Sequence, residues 1–123
     1  MLENAKLVSF VGTRDAGCAL SFYRDTLGLK LVEESPFALV FDVNGVMLRV
    51  TNVPELNPAK FTVLGWDVPD IANAVRQLAA AGVNFARYPG LEQDADGVWT
   101  SPSGAKIAWF QDPDGNTLSL TEF

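Results

Sequence analysis

Apolar and polar positions alternate along the chain in a pattern that predicts two copies of one arrangement: a strand, a helix and three strands. In the first copy, short apolar runs predict strands over residues 6–11, 29–33, 37–43 and 46–51. An apolar stripe over residues 18–27 predicts a helix that begins after Asp15 as N-cap and ends at Gly28. The dipeptide Asn44-Gly45 predicts a tight hairpin between the last two strands.

The arrangement starts again after residues 52–60, a short segment that contains two prolines. Apolar runs predict strands over residues 61–68, 83–88, 107–111 and 117–121, and a helix over residues 70–81 that Gly82 ends. Residues 89–104 are rich in glycine and proline and are predicted to be irregular. Gly28 and Gly82 are 54 positions apart, whereas Gly45 and Gly115 are 70 apart, so this segment holds 16 additional residues.

These elements predict one α+β domain of 123 residues that contains two βαβββ modules. Module one covers about residues 6–51, the linker about 52–60 and module two about 61–123. Each module has a mixed sheet covered by one helix, so each sheet keeps one uncovered face. If the two sheets curl towards each other, their uncovered faces form a cup for a ligand.

Composition and charge narrow the classes of function. The net charge is −6 and the nine Lys and Arg residues are scattered, which argues against a nucleic-acid partner and favours a cationic or neutral small molecule. No apolar run is long enough to span a membrane, and the N-terminus lacks the layout of a signal peptide, so no membrane partner is expected. Cys18 is the single cysteine, which excludes an intrachain disulfide and fits a cytoplasmic location.

Histidine is absent, which removes the commonest metal ligand and the commonest general base. Asp67, Tyr88 and Glu122 are the acid–base groups expected near the sheets, and no spacing makes them a catalytic set. The sequence therefore assigns no catalytic residue.

The strand over residues 46–51 contains the strongest candidate for ligand binding, Arg49. Met47, Arg49 and Thr51 alternate with apolar residues and are expected to line the cup. A half-buried guanidinium needs a partner, and a carboxylate, phosphate or enolate oxygen of a ligand would satisfy it. The alternative is that Arg49 pairs with an internal acid, Asp67 or Glu122, or extends to the rim.

The three tryptophans are the second group of candidates. Trp66 is expected in the core on the helix-facing side, and Trp109 is more typical of core than of a site. Trp99 lies in the irregular segment and is predicted to border the ligand site, with a dimer contact as the alternative. Phe10 and Tyr88 are expected either to line the cavity or to pack in the core.

Several of these residues resemble the vicinal oxygen chelate superfamily, which includes glyoxalase I, bleomycin-resistance proteins and extradiol dioxygenases. The resemblance covers nearly the whole chain and is strongest in the turn near the C-terminus. The residues that carry it are Asp15, Leu20, Phe22-Tyr23, Leu27-Gly28, Ala80-Ala81-Gly82-Val83, Phe110 and Asp112-Pro113-Asp114-Gly115-Asn116.

The resemblance implies where a metal would be held and also that none is held here. Metal-using members place His, Glu or Gln on the cup-facing sides of four strands. In this chain those positions fall on Val8, Arg49, Val63 (or its neighbour Thr62) and Ser119. None is a normal ligand for a transition metal, so no metal and no cofactor are expected.

The expected function is a metal-independent small-molecule binding protein of the bleomycin-resistance type, which holds an antibiotic or an aromatic or anionic metabolite. The alternative is a glyoxalase-like lyase or isomerase, or a dioxygenase. Relatives of this kind commonly pair, so a homodimer is expected. The predicted ligand-contacting residues are Val8, Phe10, Met47, Arg49, Thr51, Val63, Trp99 and Ser119.

Overall fold

The computed structural model describes residues 1–123, which form two compact units, Met1–Asn57 and Pro58–Phe123. The first unit contains a four-stranded sheet in the order β1-β4-β3-β2. Strand β1 runs parallel to β4, and the other neighbours are antiparallel. The strands are β1 (Val8–Thr13), β2 (Lys30–Glu34), β3 (Ala38–Val43) and β4 (Val46–Asn52).

The second unit repeats this connectivity, with a sheet in the order β5-β8-β7-β6. Strands β5 and β8 are parallel, and the other pairs are antiparallel. Its elements are β5 (Thr62–Asp67), helix α2 (Ile71–Ala80), β6 (Trp99–Thr100), β7 (Lys106–Gln111) and β8 (Thr117–Glu122). The α+β class and the two βαβββ modules predicted from the sequence are therefore confirmed.

The helix of the first unit is only partly an α-helix. Helix α1 covers Ala16–Leu20 and continues as a π-helical turn over Ser21–Thr26. The cap Asp15 and the terminating Gly28 are one residue further apart than Asp70 and Gly82 in the second unit. The wider turn absorbs this extra residue, as the hydrogen bond of 2.9 Å from Leu27 N to Phe22 O shows.

One predicted strand is wrong, because residues 83–88 form no strand and the edge of the sheet is β6, from the segment predicted to be irregular. The side chain of Gln93 takes the place of a neighbouring strand. Its Oε1 accepts a hydrogen bond of 2.8 Å from Tyr88 N, and its Nε2 donates to Ala86 O at 2.8 Å and to Gly97 O at 2.9 Å. One side-chain amide therefore satisfies backbone groups that a sheet ladder would otherwise satisfy.

Each helix covers one face of its sheet, and the core of each unit lies between that helix and that sheet. In the first unit, Tyr23 packs against Phe41 with ring centroids 6.0 Å apart. In the second unit, Glu122 Oε1 accepts a hydrogen bond of 3.0 Å from Ile71 N at the start of α2. Trp66 stacks on Phe110 with centroids 6.4 Å apart, so it belongs to this helix-facing side as predicted.

Helix α2 is the longest α-helix, and no helix is long and apolar enough to cross a membrane.

The turn near the C-terminus joins β7 to β8. Asp112 is buried there, and its Oδ1 accepts hydrogen bonds of 2.9 Å from the amides of both Asp114 and Asn116. Its Oδ2 accepts a further bond of 2.8 Å from Asn116 Nδ2. These contacts make the carboxylate a structural part of the turn.

The N-cap of α1 is expected to make stability depend on pH. The Asp15 carboxylate accepts a hydrogen bond of 3.1 Å from Cys18 N, and this bond lowers the pKa of Asp15 below its usual value. A lowered folded-state pKa contributes stability above the unfolded-state pKa and loses it as the pH falls through the folded-state value. Asp15→Ala should therefore lower the urea midpoint at pH 7, and the difference from wild type should shrink below about pH 4.

The exposed variant Glu55→Ala is the control, because Glu55 lies outside the helices and strands. A difference between wild type and Asp15→Ala that stays constant from pH 7 to pH 3 would contradict the assigned cap.

Candidate functional site

The side of the first sheet that faces away from the helix is called the first open face. In β4, Arg49 alternates with Leu48 and Val50, which are buried under the helix. The strand register pairs Arg49 with Phe10 and Met47 with Val8, so these side chains share one face. This face brings together the five first-unit residues predicted from the sequence: Val8, Phe10, Met47, Arg49 and Thr51.

Arg49 is half-buried and lies between Phe10 on β1 and Val40 on β3. Its guanidinium forms no salt bridge and no side-chain hydrogen bond within the first unit. The carboxylate of Asp42, on the same face, accepts a hydrogen bond of 3.0 Å from Gly45 N. Glu122, one alternative partner considered from the sequence, is engaged by the Ile71 amide. The five donors of the guanidinium are therefore available to a ligand or to a partner chain.

The apolar side chains around Arg49 are unusually accessible. Phe10 is 63% exposed, Met47 42% and Val8 38%. A cavity of about 240 Å³ opens at the end of this face where Val8 and Met47 lie, and neither Arg49 nor Phe10 lines it. Its other lining residues are Lys6, Leu7, Val32, Val40, Phe41, Asp42 and Gly45. A charged group next to accessible apolar surface is the combination that small-molecule sites use for orientation and affinity.

The side of the second sheet that faces away from α2 is the second open face. The register pairs Ser119 with Gly65 on one side and with Trp109 on the other. Trp99 pairs with Ile107 and so lies on the same face. The expectation that Trp109 belongs to the core is wrong, because its strand neighbours Ala108 and Phe110 occupy the helix-facing side instead.

Three aromatic residues of the second open face form what is called the aromatic cluster: Tyr88, Trp99 and Trp109. The rings of Trp99 and Trp109 are 6.1 Å apart between centroids and tilted by 34°. Tyr88 meets Trp109 edge to face at 5.4 Å. Gln93 holds this cluster in place, because its side chain binds Tyr88 N and its backbone forms a bridge to Trp99. No sequence pattern identified Gln93, since a glutamine in a loop has no fixed role.

Ser119 is packed more closely than the sequence suggested. It is 7% exposed, and a Cβ atom at Gly65 would lie 2.7 Å from its Oγ. Only glycine fits opposite this serine. Val63 lies at an irregularity between Thr62 and Leu64 in β5 and is 40% exposed.

The four strand positions implied by the family resemblance do not fit a divalent metal. Val8 and Val63 have no donor atoms, Ser119 offers a neutral hydroxyl, and Arg49 is a cation. No group of three or more His, Cys, Asp or Glu residues is placed to hold a metal ion. The chemistry of these side chains suits contacts with an organic ligand.

Comparison with known proteins agrees with this fold. A family model described as the Glyoxalase/Bleomycin resistance protein/Dioxygenase superfamily matches residues 7–120. None of the curated proteins matches the chain in sequence.

Solved structures with a similar fold include both binding proteins and an enzyme. A bleomycin-binding protein complexed with bleomycin is 22% identical with a TM-score of 0.75. The match covers 98% of this chain and 99% of the bleomycin-binding protein. A lactoylglutathione lyase from Agrobacterium tumefaciens is 18% identical with a TM-score of 0.76, covering 97% and 93%. A superfamily member from Sphaerobacter thermophilus is 22% identical with a TM-score of 0.76 and full coverage, 100% of each chain. At these identities the likeness concerns the fold.

Removing the Gln93 amide is expected to release the loop that holds the aromatic cluster. Gln93→Leu leaves Tyr88 N and Ala86 O without their partner, which should cost about 1 kcal/mol of unfolding free energy, since water can reach part of this site. Trypsin should then cleave faster after Arg87, measured by limited proteolysis and mass spectrometry. Gln77→Leu, at an exposed position of α2, is the matched control and should leave this cleavage rate unchanged. Equal cleavage rates in the two variants would argue against the role given to Gln93.

Proposed function

Because the chain belongs to the Glyoxalase/Bleomycin resistance protein/Dioxygenase superfamily, we propose that it is a metal-independent member that binds a small molecule on its open sheet faces. The observation that carries this proposal is Arg49, a half-buried cation at one of the four positions where metal-using relatives hold a ligand. A guanidinium there repels a metal ion and attracts an anionic group.

The surroundings of Arg49 indicate the chemistry of the ligand. Phe10 and Met47 offer exposed apolar surface, and the guanidinium offers donors for two oxygens at once. A ligand with an aromatic or aliphatic body and a carboxylate, sulfonate or phosphate group satisfies both. An antibiotic of this build belongs to the class, and the bleomycin complex of a similar fold supports a sequestering role.

The competing function is a glyoxalase-like lyase or isomerase, or a dioxygenase. The lactoylglutathione lyase of similar fold keeps this alternative open. The metal content of the purified protein distinguishes the two functions. We expect the protein to bind its ligand without any divalent ion. Stoichiometric zinc, nickel, manganese or iron in elemental analysis would favour the enzyme.

We further propose that two copies of the chain associate as a homodimer. The first open face exposes Val8, Phe10 and Met47, and accessible apolar groups on one face are typical of an interface or a ligand site. Strands β1 and β5 are also unpaired along one edge each. A second copy that packs on the first open face and pairs along one of these edges would bury the apolar groups and satisfy the free backbone groups.

The first test concerns the charge of Arg49. Naphthalene-1-sulfonate should bind the wild-type protein with the same affinity in buffer and in excess EDTA, measured by isothermal titration calorimetry. Arg49→Met keeps the length of the side chain and removes its charge, so the affinity should fall about tenfold or more because a charge-assisted hydrogen bond is lost.

The control for this test is Arg76→Met, an exposed position on α2 that should leave the affinity unchanged. Loss of binding in EDTA, or equal binding by Arg49→Met and wild type, would overturn the proposed function.

The second test concerns assembly. Sedimentation equilibrium at micromolar concentration should give twice the chain mass of 13.3 kDa. Phe10→Asp places a charge on the exposed apolar face and should shift the protein towards monomer, whereas Glu55→Asp should not. A wild-type protein that sediments as a monomer at this concentration would refute the dimer.

A further inference from the structure

We propose that Asn44 is a site of spontaneous deamidation through a cyclic imide, and that the carboxylate of Asp42 slows this reaction by holding the reacting nitrogen. Both residues belong to the hairpin between β3 and β4. Neither the modification nor its control by Asp42 depends on the proposed function, because no ligand takes part in the reaction.

The sequence singles out Asn44 among the asparagines. In deamidation the backbone nitrogen of the following residue is the nucleophile, and glycine is the residue that hinders its approach least because it has no side chain. The chain contains seven asparagines, and Asn44 is the only one followed by glycine. The other six precede Ala, Val, Pro, Ala, Phe and Thr. Asn44 is therefore expected to react well before any other asparagine of the chain.

The reaction is an acyl transfer within the chain. Gly45 N attacks Asn44 Cγ and a C–N bond forms, while the bond from Cγ to Nδ2 breaks and ammonia leaves with the proton of the Gly45 amide. Water then opens the five-membered imide at one of its two carbonyl carbons, which gives aspartate or isoaspartate. Nothing is oxidised or reduced, and water is the only co-reactant.

The tip of the hairpin is open to water. Asn44 and Gly45 are exposed, and Val46 is 37% exposed. The side-chain amide of Asn44 forms no hydrogen bond in the structure. The carbonyl carbon that is attacked is therefore accessible and is not held in place by a partner.

The backbone of the turn opposes the attack. Asn44 has a φ of 49° and Gly45 a φ of 88°, which are the values of a type I′ turn. In this conformation Gly45 N lies on the far side of the Asn44 Cα–C bond from Cβ, whereas the imide ring requires both on the same side. The pair of Val43 and Val46 closes the turn at the end of the β3–β4 ladder. The tip must therefore open before the ring can form, and exposed hairpin tips open at low cost.

Asp42 restrains the nucleophile itself. Its Oδ1 accepts a hydrogen bond of 3.0 Å from Gly45 N, and the carboxylate is exposed. The bond stabilises the closed turn. The negative charge beside the amide also opposes the loss of the amide proton, which must leave as the nitrogen attacks. One side chain thus acts on both the opening of the tip and the reactivity of Gly45 N.

The other two turns with an acidic residue before glycine are restrained differently. In them Gly97 N donates to Asp94 O at 3.1 Å, and Gly115 N donates to Asp112 O at 3.0 Å. These acceptors are backbone carbonyls, which no substitution removes. The turn at Asn44 is the one in which a side chain makes this contact.

Conversion of Asn44 is expected to weaken the hairpin. Isoaspartate carries the main chain through Cβ, so it adds one backbone atom to a two-residue turn whose length sets the register of β3 on β4. Aspartate keeps the backbone but places a second carboxylate two residues from Asp42. Deamidation would therefore lower the stability of the first unit irreversibly as the protein ages.

The experiment follows the conversion of Asn44 with time in the full-length protein at mildly alkaline pH. Trypsin releases residues 31–49 as one peptide with Asn44 as its only asparagine, so the mass of this peptide reports Asn44 alone. Asp42→Ala should convert about threefold faster than wild type or more, because the hydrogen bond at Gly45 N is lost. Asp42→Asn keeps an acceptor oxygen without the charge and should give an intermediate rate. Asn44→Gln should show no conversion, since glutamine would have to form a six-membered ring.

Asp15→Ala is the matched control. It also removes a carboxylate that accepts a backbone amide, but at the N-cap of α1, so it lowers stability without touching the hairpin. Its Asn44 should convert at the wild-type rate. If Asp42→Ala converts no faster than Asp15→Ala, the restraint assigned to Asp42 is refuted. Slower conversion in Asp42→Ala than in wild type would make Asp42 a base for the reaction and refute it as well. An Asn44 that stays intact in wild type and Asp42→Ala alike would remove the site altogether.

Discussion

The structure depends on one constraint, that four strands and a single helix can bury only one face of each sheet. In both units the helix-facing residues are packed away from solvent, and Tyr23, Phe41 and Phe110 are almost completely buried. No helix of its own unit covers the other face, which in the first unit is reached only near Gly12 by Val53 and Leu56. Polar and charged side chains are therefore tolerated on that face, whereas the covered faces are apolar.

The two open faces have diverged in opposite directions. Arg49 and Ser119 hold equivalent positions, four residues after Gly45 and Gly115. In the first unit Arg49 lies beside Phe10, which gives a cation on an apolar surface. In the second unit the residue beside Ser119 is Gly65, and the other neighbour is Trp109. One unit thus offers a charged donor, and the other offers an aromatic surface bordered by acids.

Alternation and caps were enough to predict the class, the duplication and the open face of β4. Arg49, Met47 and Thr51 share a face because strand periodicity is two, and no distant contact alters that rule. Three features depend on information that a local pattern does not contain. The π-helical turn arises from one extra residue between Asp15 and Gly28, which becomes visible only when the two units are aligned by their caps.

The other two features, the edge strand of the second sheet and the aromatic cluster, involve the side chain of Gln93, which makes hydrogen bonds that a neighbouring strand would otherwise make. Residues 83–88 have the composition of a strand, but the side chain of Gln93, in the loop, bonds the backbone groups of Ala86 and Tyr88. Trp99 and Thr100 form the edge strand of the sheet instead. That exchange also places Trp99 beside Ile107 and on the same side as Trp109. The aromatic cluster is consequently a product of tertiary contacts. The sequence shows its three residues but not that they lie together.

The side chains of the open faces bear on the proposed function. A catalyst of this fold needs either a metal or an acid–base pair that converges on the substrate. Glu122 is bound to the Ile71 amide on the helix-facing side, and Tyr88 is part of the aromatic cluster. The open faces present a guanidinium, indoles and methyl-bearing side chains, which suit contacts with an organic molecule.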